Sequence, residues 1–224
     1  HRLRVWDKIT TDRVDHFIAK SQTVAERIKK FYRRDALVIN PPIEIAAYSV
    51  SDQLGDYFLA GGRLVPYKRF DLLIATFNRL GRPLKIFGQG PEYARLKKIS
   101  RPNIEFLGQI SDNEKKYLLS RALAFLHPQY EDFGLIPLEA MASGRPVIAY
   151  NRGGATETVK SMETGVFFDT QSWESLYETL QKFDAKNWSS AAIREHAEQF
   201  DKKYFQEKIR NFVEEKYRQD SMPA

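Results

Sequence analysis

Residues 123–146 read LAFLHPQYEDFGLIPLEAMASGRP, and this stretch decides the fold. Its first four residues are apolar, which is typical of a short buried strand. The loop that follows leads into residues 136–142, which we predict to be a helix ended by Ser143, Gly144 and Pro146. The stretch is therefore one strand–loop–helix unit of an α/β protein.

The same unit recurs along the rest of the chain. Further short apolar runs predict strands at residues 16–19, 37–39, 57–60, 84–87, 104–107, 147–150 and 165–168. Helical patterns lie between them at residues 22–32, 70–79, 92–99, 112–120 and 173–183. Because parallel strands need crossover connections, this alternation predicts an α/β fold with a doubly wound, Rossmann-like parallel sheet.

Two prolines, Pro41 and Pro42, mark a linker that divides the chain. Residues 1–40 are too few for a domain, and the first residue is not Met, so we expect them to be the tail of a largely missing N-terminal domain plus a linker. Residues 41–200 form the predicted doubly wound domain. An apolar stripe between Phe200 and Tyr217 predicts a C-terminal helix within residues 201–224 that docks back toward the missing domain.

The composition excludes several classes of protein. Hydrophobic residues make up 42% of the chain, which is enough for a packed core, and cysteine is absent, which excludes disulfide scaffolds and thiolate nucleophiles. The net charge of +6 is too small to indicate nucleic-acid binding. No apolar run approaches the roughly 20 residues that span a bilayer. We therefore expect a cytoplasmic protein, with peripheral contact at the inner face of the membrane as the alternative for its basic cluster at residues 27–34.

Two glycine loops follow predicted strands in the first part of the domain. In the first, Gly61 and Gly62 precede Arg63 and Lys68 at the start of a helix, a pattern that suits a diphosphate. The second, residues 87–92 (FGQGPE), imitates a dinucleotide-binding motif, but its third glycine position holds Tyr93. This substitution argues against an NAD-binding fold.

The strongest candidate site lies in the loop and helix of residues 127–146. Glu131 and Glu139 flank backbone N–H groups at the helix entrance that can receive negative charge. Two structural interpretations compete: Glu139, placed in the first helical turn, complements the helix dipole, and His127 is an ordinary core histidine. Residues 132–134 (DFG) match a kinase triplet, but no kinase catalytic loop precedes them.

A fourth glycine loop, residues 151–157 (NRGGATE), again follows a predicted strand. Since the carboxyl ends of parallel strands share one edge of a sheet, all four loops are expected to meet at a single crevice.

These motifs, taken in order, resemble the C-terminal, donor-binding half of GT-B fold retaining glycosyltransferases of family 4, and the mannosyltransferase branch in particular. The resemblance runs from about residue 36 to residue 183. It is carried by Gly62 and Arg63 through Lys68, by residues 87–91 and 106–110, by Glu131 through Glu139, and by Gly153, Gly154 and Glu157.

The resemblance implies a role for each matching residue. Arg63 and Lys68 would be catalytic cations that bind the donor diphosphate and stabilise it as the leaving group, and Glu131 would position the transferred sugar rather than attack it. Glu139 would hold the ribose. The other substrate-binding residues implied are Gly62, Gly88, Ile110, Asp112, Lys115, Asp132, Phe133, Gly134 and Leu135. No metal and no resident cofactor are expected.

The implied activity is transfer of a hexose, mannose from GDP-mannose, to a glycan or lipid-linked acceptor held mainly by the missing domain. The isolated chain is then expected to bind the donor but transfer nothing. Two alternatives remain open: a transferase that uses a UDP-hexose, and a non-catalytic module that binds nucleotide sugars. The loop from Arg63 to Lys68 is one residue shorter than in some family members, which loosens the role of Lys68.

Overall fold

The computed structural model describes residues 2–221. Its strands are β1 (Ile18–Ala19), β2 (Leu37–Val38), β3 (Phe58–Gly61), β4 (Leu84–Phe87), β5 (Ile104–Gly108), β6 (Phe125–His127), β7 (Val147–Tyr150) and β8 (Gly165–Phe168). Its helices are α1 (Arg2–Thr10), α2 (Gln22–Tyr32), α3 (Phe70–Leu80), α4 (Tyr93–Ile99), α5 (Asp112–Arg121), α6 (Leu135–Ala142), α7 (Ala155–Thr158), α8 (Trp173–Lys182), α9 (Ser190–Glu198) and α10 (Lys202–Ser221).

The main sheet contains six parallel strands in the order β5-β4-β3-β6-β7-β8. This confirms the predicted α/β class and its parallel sheet. The chain moves outward from β3 to β5 on one side, then returns to place β6 beside β3, where Leu59 pairs with Phe125. Strand order reverses between β3 and β6, and in open α/β sheets such a reversal opens a crevice at the carboxyl ends of the strands.

Both faces of this sheet are buried, as the continuous apolar character of its strands requires. Successive residues of β3 show the arrangement: Phe58 and Ala60 belong to one hydrophobic cluster, whereas Leu59 belongs to the other. Side chains on the two faces are fully buried at Leu84, Ile86 and Val147. A sheet held from both sides gives the loops at its edge a rigid base.

Every element to which sequence analysis gave bounds is confirmed within two residues at each end. Strand β6 starts two residues later than expected. It was expected at residues 123–126 and runs instead from Phe125 to His127, because Leu123 only donates its backbone N–H to Tyr57 at the entrance to the sheet. His127 is therefore the last residue of β6, directly before the loop of residues 128–134 that carries Glu131 and Asp132 (the acidic loop).

Sequence analysis did not place α1 or α9, and it gave no bounds for α7, the helix expected after the fourth glycine loop. Helix α9 follows Ser189, whose side chain accepts a hydrogen bond from the N–H of Ala192, and it buries Ile193 and Ala197. The capping serine and the four-residue spacing of these two apolar residues were the available signal. Ile193 belongs to the same hydrophobic cluster as Leu138, Ala140 and Met141 of α6, so α9 supports the helix that follows the acidic loop.

The N-terminal part of the chain forms its own small unit. Strands β1 and β2 pair in parallel away from the main sheet, and α1 buries none of its side chains. This unit is tied to the main domain by Glu157, which accepts hydrogen bonds from the backbone N–H groups of Gln22 and Thr23 at 2.6 and 3.1 Å. The division of the chain near residue 40 stays a prediction.

Helix α10 carries the predicted apolar stripe and runs past the N-terminal unit. The ring of Phe212 meets that of His16 edge-on at 6.0 Å, and Ile43 exchanges backbone hydrogen bonds with Phe200 and Lys202 at the start of the helix. Docking onto a further domain stays a prediction, and the parts of the terminal predictions that concern residues 1 and 222–224 lie outside the described residues.

The buried position of α9 can be tested by one truncation. Ile193→Ala removes a fully buried side chain and is expected to lower the free energy of unfolding by about 2–5 kcal/mol. The same substitution at Ile99, which is 46% exposed, is expected to cost about 0.5 kcal/mol. Denaturant titration of both variants measures the difference, and equal losses would mean that α9 does not belong to the core.

Candidate functional site

The loops that follow β3 and β6 meet at the point where strand order reverses and enclose a cavity of about 300 Å³. Five predicted site residues line this cavity: Lys68, Glu131, Phe133, Gly134 and Leu135. It is also lined by two residues that sequence analysis did not place in the site, His127 and Gln129, and by Lys20 and Pro41 from the N-terminal side.

An ion pair joins the two loops across the cavity. Lys68 Nζ lies 2.6 Å from Glu131 Oε1, and the lysine is only 8% exposed. Burial alone would raise the pKa of Glu131, but hydrogen bonding and charge interaction with Lys68, helped by His127 and Gln129, hold it below its usual range. Glu131 is therefore a carboxylate at neutral pH. An ammonium has three N–H donors, so Lys68 can hold Glu131 and still donate to an anion in the cavity.

His127 is buried beneath this ion pair. Its Nδ1 lies 3.0 Å from Gln129 Nε2, and the same amide nitrogen lies 3.1 Å from Glu131 Oε2. Burial lowers the pKa of His127 to about 4; the Glu131 carboxylate opposes this shift and the Lys68 ammonium adds to it. The imidazole is therefore neutral at physiological pH. His127 is buried as a core histidine would be, but it also faces the cavity.

Helix α6 begins at Leu135 and presents unpaired N–H groups to the cavity. The backbone nitrogens of Phe133, Gly134 and Leu135 donate no hydrogen bond to other residues in the described part of the chain. Gly134 has a φ of +93°, a conformation that L side chains rarely adopt. These N–H groups, at the positive end of the helix dipole, can bind an anion or a hydroxyl oxygen.

Glu139 lies in the second turn of α6, so the expectation that it lies in the first turn is wrong and dipole complementation does not explain it. Its carboxylate is held by Lys115, whose Nζ lies 2.9 Å from Oε2 and 3.0 Å from Oε1. Tyr48, which sequence analysis missed, is buried beside this carboxylate; burial first and Glu139 second raise the pKa of its hydroxyl. A buried carboxylate held this way suits a hydroxyl-bearing group such as ribose.

The residues expected around the base lie with Glu139 and outside the cavity. Asp112 Oδ1 is 3.8 Å from Lys115 Nζ at the start of α5, and Ile110 is half-buried against the core. The structure thus groups Asp112, Lys115 and Glu139 into a second cluster on the α5–α6 side of the domain, and Ile110 lies two residues before α5.

Gly62 and Gly88 allow two loops to touch. A Cβ on Gly88, whose φ is +112°, would lie 1.9 Å from the carbonyl oxygen of Gly62. The N–H of Gly62 in turn donates to the Phe87 carbonyl at 3.1 Å. Arg63 follows this contact with an exposed side chain that has no hydrogen-bond partner within residues 2–221. It is therefore available to a ligand, although it does not line the cavity with Lys68.

The fourth glycine loop supports the acidic loop. The N–H of Gly154 donates to the Glu131 carbonyl at 2.8 Å, and a Cβ on Gly154 would lie 2.2 Å from Phe133 Cα. Asp132 is not among the residues that line the cavity, and it forms ion pairs with Arg27 at 2.6 Å and Lys20 at 3.1 Å. The N-terminal unit thus holds its carboxylate, and its expected role in substrate binding stays a prediction.

Two further properties bear on the chemistry. Among the described residues, no group of three or more His, Asp or Glu side chains is arranged to hold a metal ion. Within the same range, no helix is both long and apolar enough to cross a membrane.

Comparison with known proteins places this chain in a family. Residues 46–207 match the family described as "Glycosyl transferases group 1". The alpha-1,3/1,6-mannosyltransferase ALG2 of Candida glabrata is 37% identical over 44% of this chain and 20% of its own length. The O-antigen chain mannosyltransferase RfbU of Salmonella typhimurium is 27% identical over 82% of this chain and 52% of its own length.

A solved structure agrees on the fold. Anabaena Alr3699/HepE in complex with UDP and glucose superposes with a TM-score of 0.78 at 21% identity, over 89% of this chain and 62% of that one. The six-stranded parallel sheet corresponds to the C-terminal, Rossmann-like half of GT-B glycosyltransferases. Since the family match covers most of the chain, this protein belongs to the group 1 (family 4) glycosyltransferases.

Proposed function

We propose that this chain is the donor-binding half of a retaining glycosyltransferase that transfers mannose from GDP-mannose to a glycan or lipid-linked acceptor. The observation that carries the proposal is the buried pair of Lys68 and Glu131 beside the free N–H groups at the start of α6. It offers a cation for phosphate and a carboxylate for sugar hydroxyls within one cavity.

The charges are arranged for loss of a diphosphate. As the bond between sugar and phosphate breaks, negative charge grows on the diphosphate and positive charge on the sugar. Lys68, the exposed Arg63 and the amides of residues 133–135 can neutralise the leaving group without a metal ion. Glu131 is already bound to Lys68, so we give it the role of holding the sugar and not of attacking it.

The second cluster would take the nucleoside. Glu139 offers carboxylate oxygens to the two ribose hydroxyls, and Ile110 supplies an apolar surface for the base. The second cluster and the cavity lie at different points along α6. In this proposal the donor extends between them, with its base at the α5 side and its sugar beneath the acidic loop.

Mannose is proposed because the matched relatives are named as mannosyltransferases. The HepE structure contains UDP and glucose, and it supports a UDP-hexose as the second candidate. The matched stretches cover 20% and 52% of the two relatives, so the acceptor, a cytoplasmic location at the inner membrane face and the inactivity of the isolated chain are proposals too.

Calorimetric titration with GDP, GDP-mannose, UDP and UDP-glucose tests the donor, first without metal and then with magnesium. We expect metal-independent binding that favours the guanine nucleotides. Preference for the uracil nucleotides would keep the transferase and replace the donor. If the chain binds none of the four, its cavity is not a nucleotide-sugar site and the proposal fails.

Replacement of Arg63 separates phosphate binding from nucleoside binding. Because a charge-assisted hydrogen bond is worth about 1.5–3 kcal/mol, Arg63→Ala is expected to weaken GDP binding roughly tenfold or more and to leave guanosine binding unchanged. Arg210→Ala, on the exposed face of α10, is the matched control. Equal losses for GDP and guanosine would contradict the diphosphate role.

Replacement of Glu139 should give the complementary pattern. Glu139→Gln removes the charge that accepts from ribose, so guanosine and GDP are both expected to bind roughly tenfold more weakly. Glu178→Gln, at an exposed position of α8, is the matched control. Loss confined to GDP, with guanosine unaffected, would move Glu139 from the ribose site to the phosphate site.

A further inference from the structure

We propose that His127 is a substrate-binding residue that selects the sugar: its Nε2–H donates to one hydroxyl of the transferred hexose, and Glu131 accepts from that same hydroxyl. This inference rests on the proposed function, since it concerns the sugar end of the same site.

The position of the proton follows from the neighbours of Gln129. The amide Nε2 of Gln129 lies close to both His127 Nδ1 and Glu131 Oε2. If the amide were turned over, its oxygen would face the carboxylate with no proton between them. The NH₂ group therefore points at both, and since it can only donate, Nδ1 must accept. In a neutral imidazole the proton then resides on Nε2.

This Nε2–H has no partner. It is fully buried, it makes no hydrogen bond within the described residues, and Glu131 Oε2 is 3.8 Å away, too far for one. An unpaired buried donor is costly, so such groups need a particular explanation. Because His127 lines the cavity, a ligand atom that enters the cavity can supply the missing acceptor.

The separation of 3.8 Å suits a bridging hydroxyl. An oxygen about 2.8 Å from both atoms fits between them. It would accept from His127 Nε2 and donate to Glu131 Oε2, a combination that a hydroxyl provides and that a methylene or an ether oxygen does not. The pair therefore distinguishes a sugar with the hydroxyl from its deoxy analogue.

Gly134 places no side chain against the edge of the imidazole. A Cβ at this position would lie 3.1 Å from His127 Cε1 and 3.3 Å from Nε2, and would cover the edge of the ring. The low pKa of about 4 keeps the imidazole neutral, so it binds a hydroxyl without adding a second cation beside Lys68. A histidine with a purely structural role needs neither a glycine at its ring edge nor an unpaired donor.

The first test compares two variants by calorimetry. His127→Phe keeps a buried ring and removes the donor, whereas His127→Gln restores an N–H donor. We expect the Phe variant to bind GDP as the wild-type chain does and GDP-mannose roughly tenfold more weakly, with part of the loss recovered in the Gln variant. Thermal unfolding measurements check that both variants fold. If the Phe variant does not fold, the Gln variant is compared with the wild-type chain alone. It is then expected to lose a smaller amount of affinity for GDP-mannose and none for GDP.

The second test alters the ligand. GDP-mannose analogues that lack one hydroxyl each are titrated into the wild-type chain and into His127→Phe. We expect one analogue to bind the wild-type chain at least tenfold more weakly than GDP-mannose does. The loss should be much smaller for the Phe variant, because that variant has already lost the contact between His127 and the missing hydroxyl. If uracil nucleotides are preferred, UDP-glucose and its deoxy analogues take the same places.

The outcomes separate the two proposals. If the wild-type chain binds no nucleotide and no nucleotide sugar, the proposed function fails and this inference fails with it. If binding occurs but GDP-mannose affinity is equal in wild type and both variants, or no deoxy analogue loses affinity, only the role of His127 is overturned.

Discussion

The site depends on one buried ion pair, between Lys68 after β3 and Glu131 after β6. A buried pair gains less stability than its short distance suggests, because removing both charges from water offsets most of the attraction. Its value here is geometric. It joins the two loops at the reversal of strand order and fixes a cation and a carboxylate side by side in the wall of the cavity. In the proposed function, phosphate and sugar would each meet a partner that is already in place.

The glycine loops bring backbone segments closer together than side chains would allow. Gly88 contacts the carbonyl of Gly62, and Gly154 contacts the backbone of Phe133. A Cβ added to Gly90 would lie 2.3 Å from the carbonyl oxygen of Leu64. The glycines thus serve mainly to pack one loop on the next. Each loop supports its neighbour, and the charged residues that they carry are held by backbone contacts as well as by side chains.

Sequence periodicity was sufficient to predict the sheet, because burial on both faces leaves continuous apolar runs in each strand. It also predicted that the acidic loop and the Arg63–Lys68 loop meet, since all strands are parallel. Helix α9 was missed because its two buried residues are surrounded by small and charged ones. The partners of Asp132 could not be predicted, because Arg27 is 105 positions away and nothing local in the sequence links the two.

The same limit applies to His127. From sequence it is one polar residue at the end of an apolar strand, and a core position explains it fully. Only the three-dimensional arrangement shows that Gln129 fixes its proton, that Gly134 places no side chain against its edge and that Glu131 Oε2 lies 3.8 Å from Nε2, beyond hydrogen-bonding distance.

The N-terminal unit completes the site and is more than an attachment to it. Asp132 is held by Lys20 and Arg27, and Glu157, which follows the glycine pair under the acidic loop, is held by the first turn of α2. Lys20 and Pro41 also line the cavity. The acidic loop is therefore fixed between the glycine pair on one side and the N-terminal unit on the other, so its free N–H groups face the cavity in a single orientation. Movement of the N-terminal unit would act directly on Glu131, because Asp132 is its immediate neighbour in the chain.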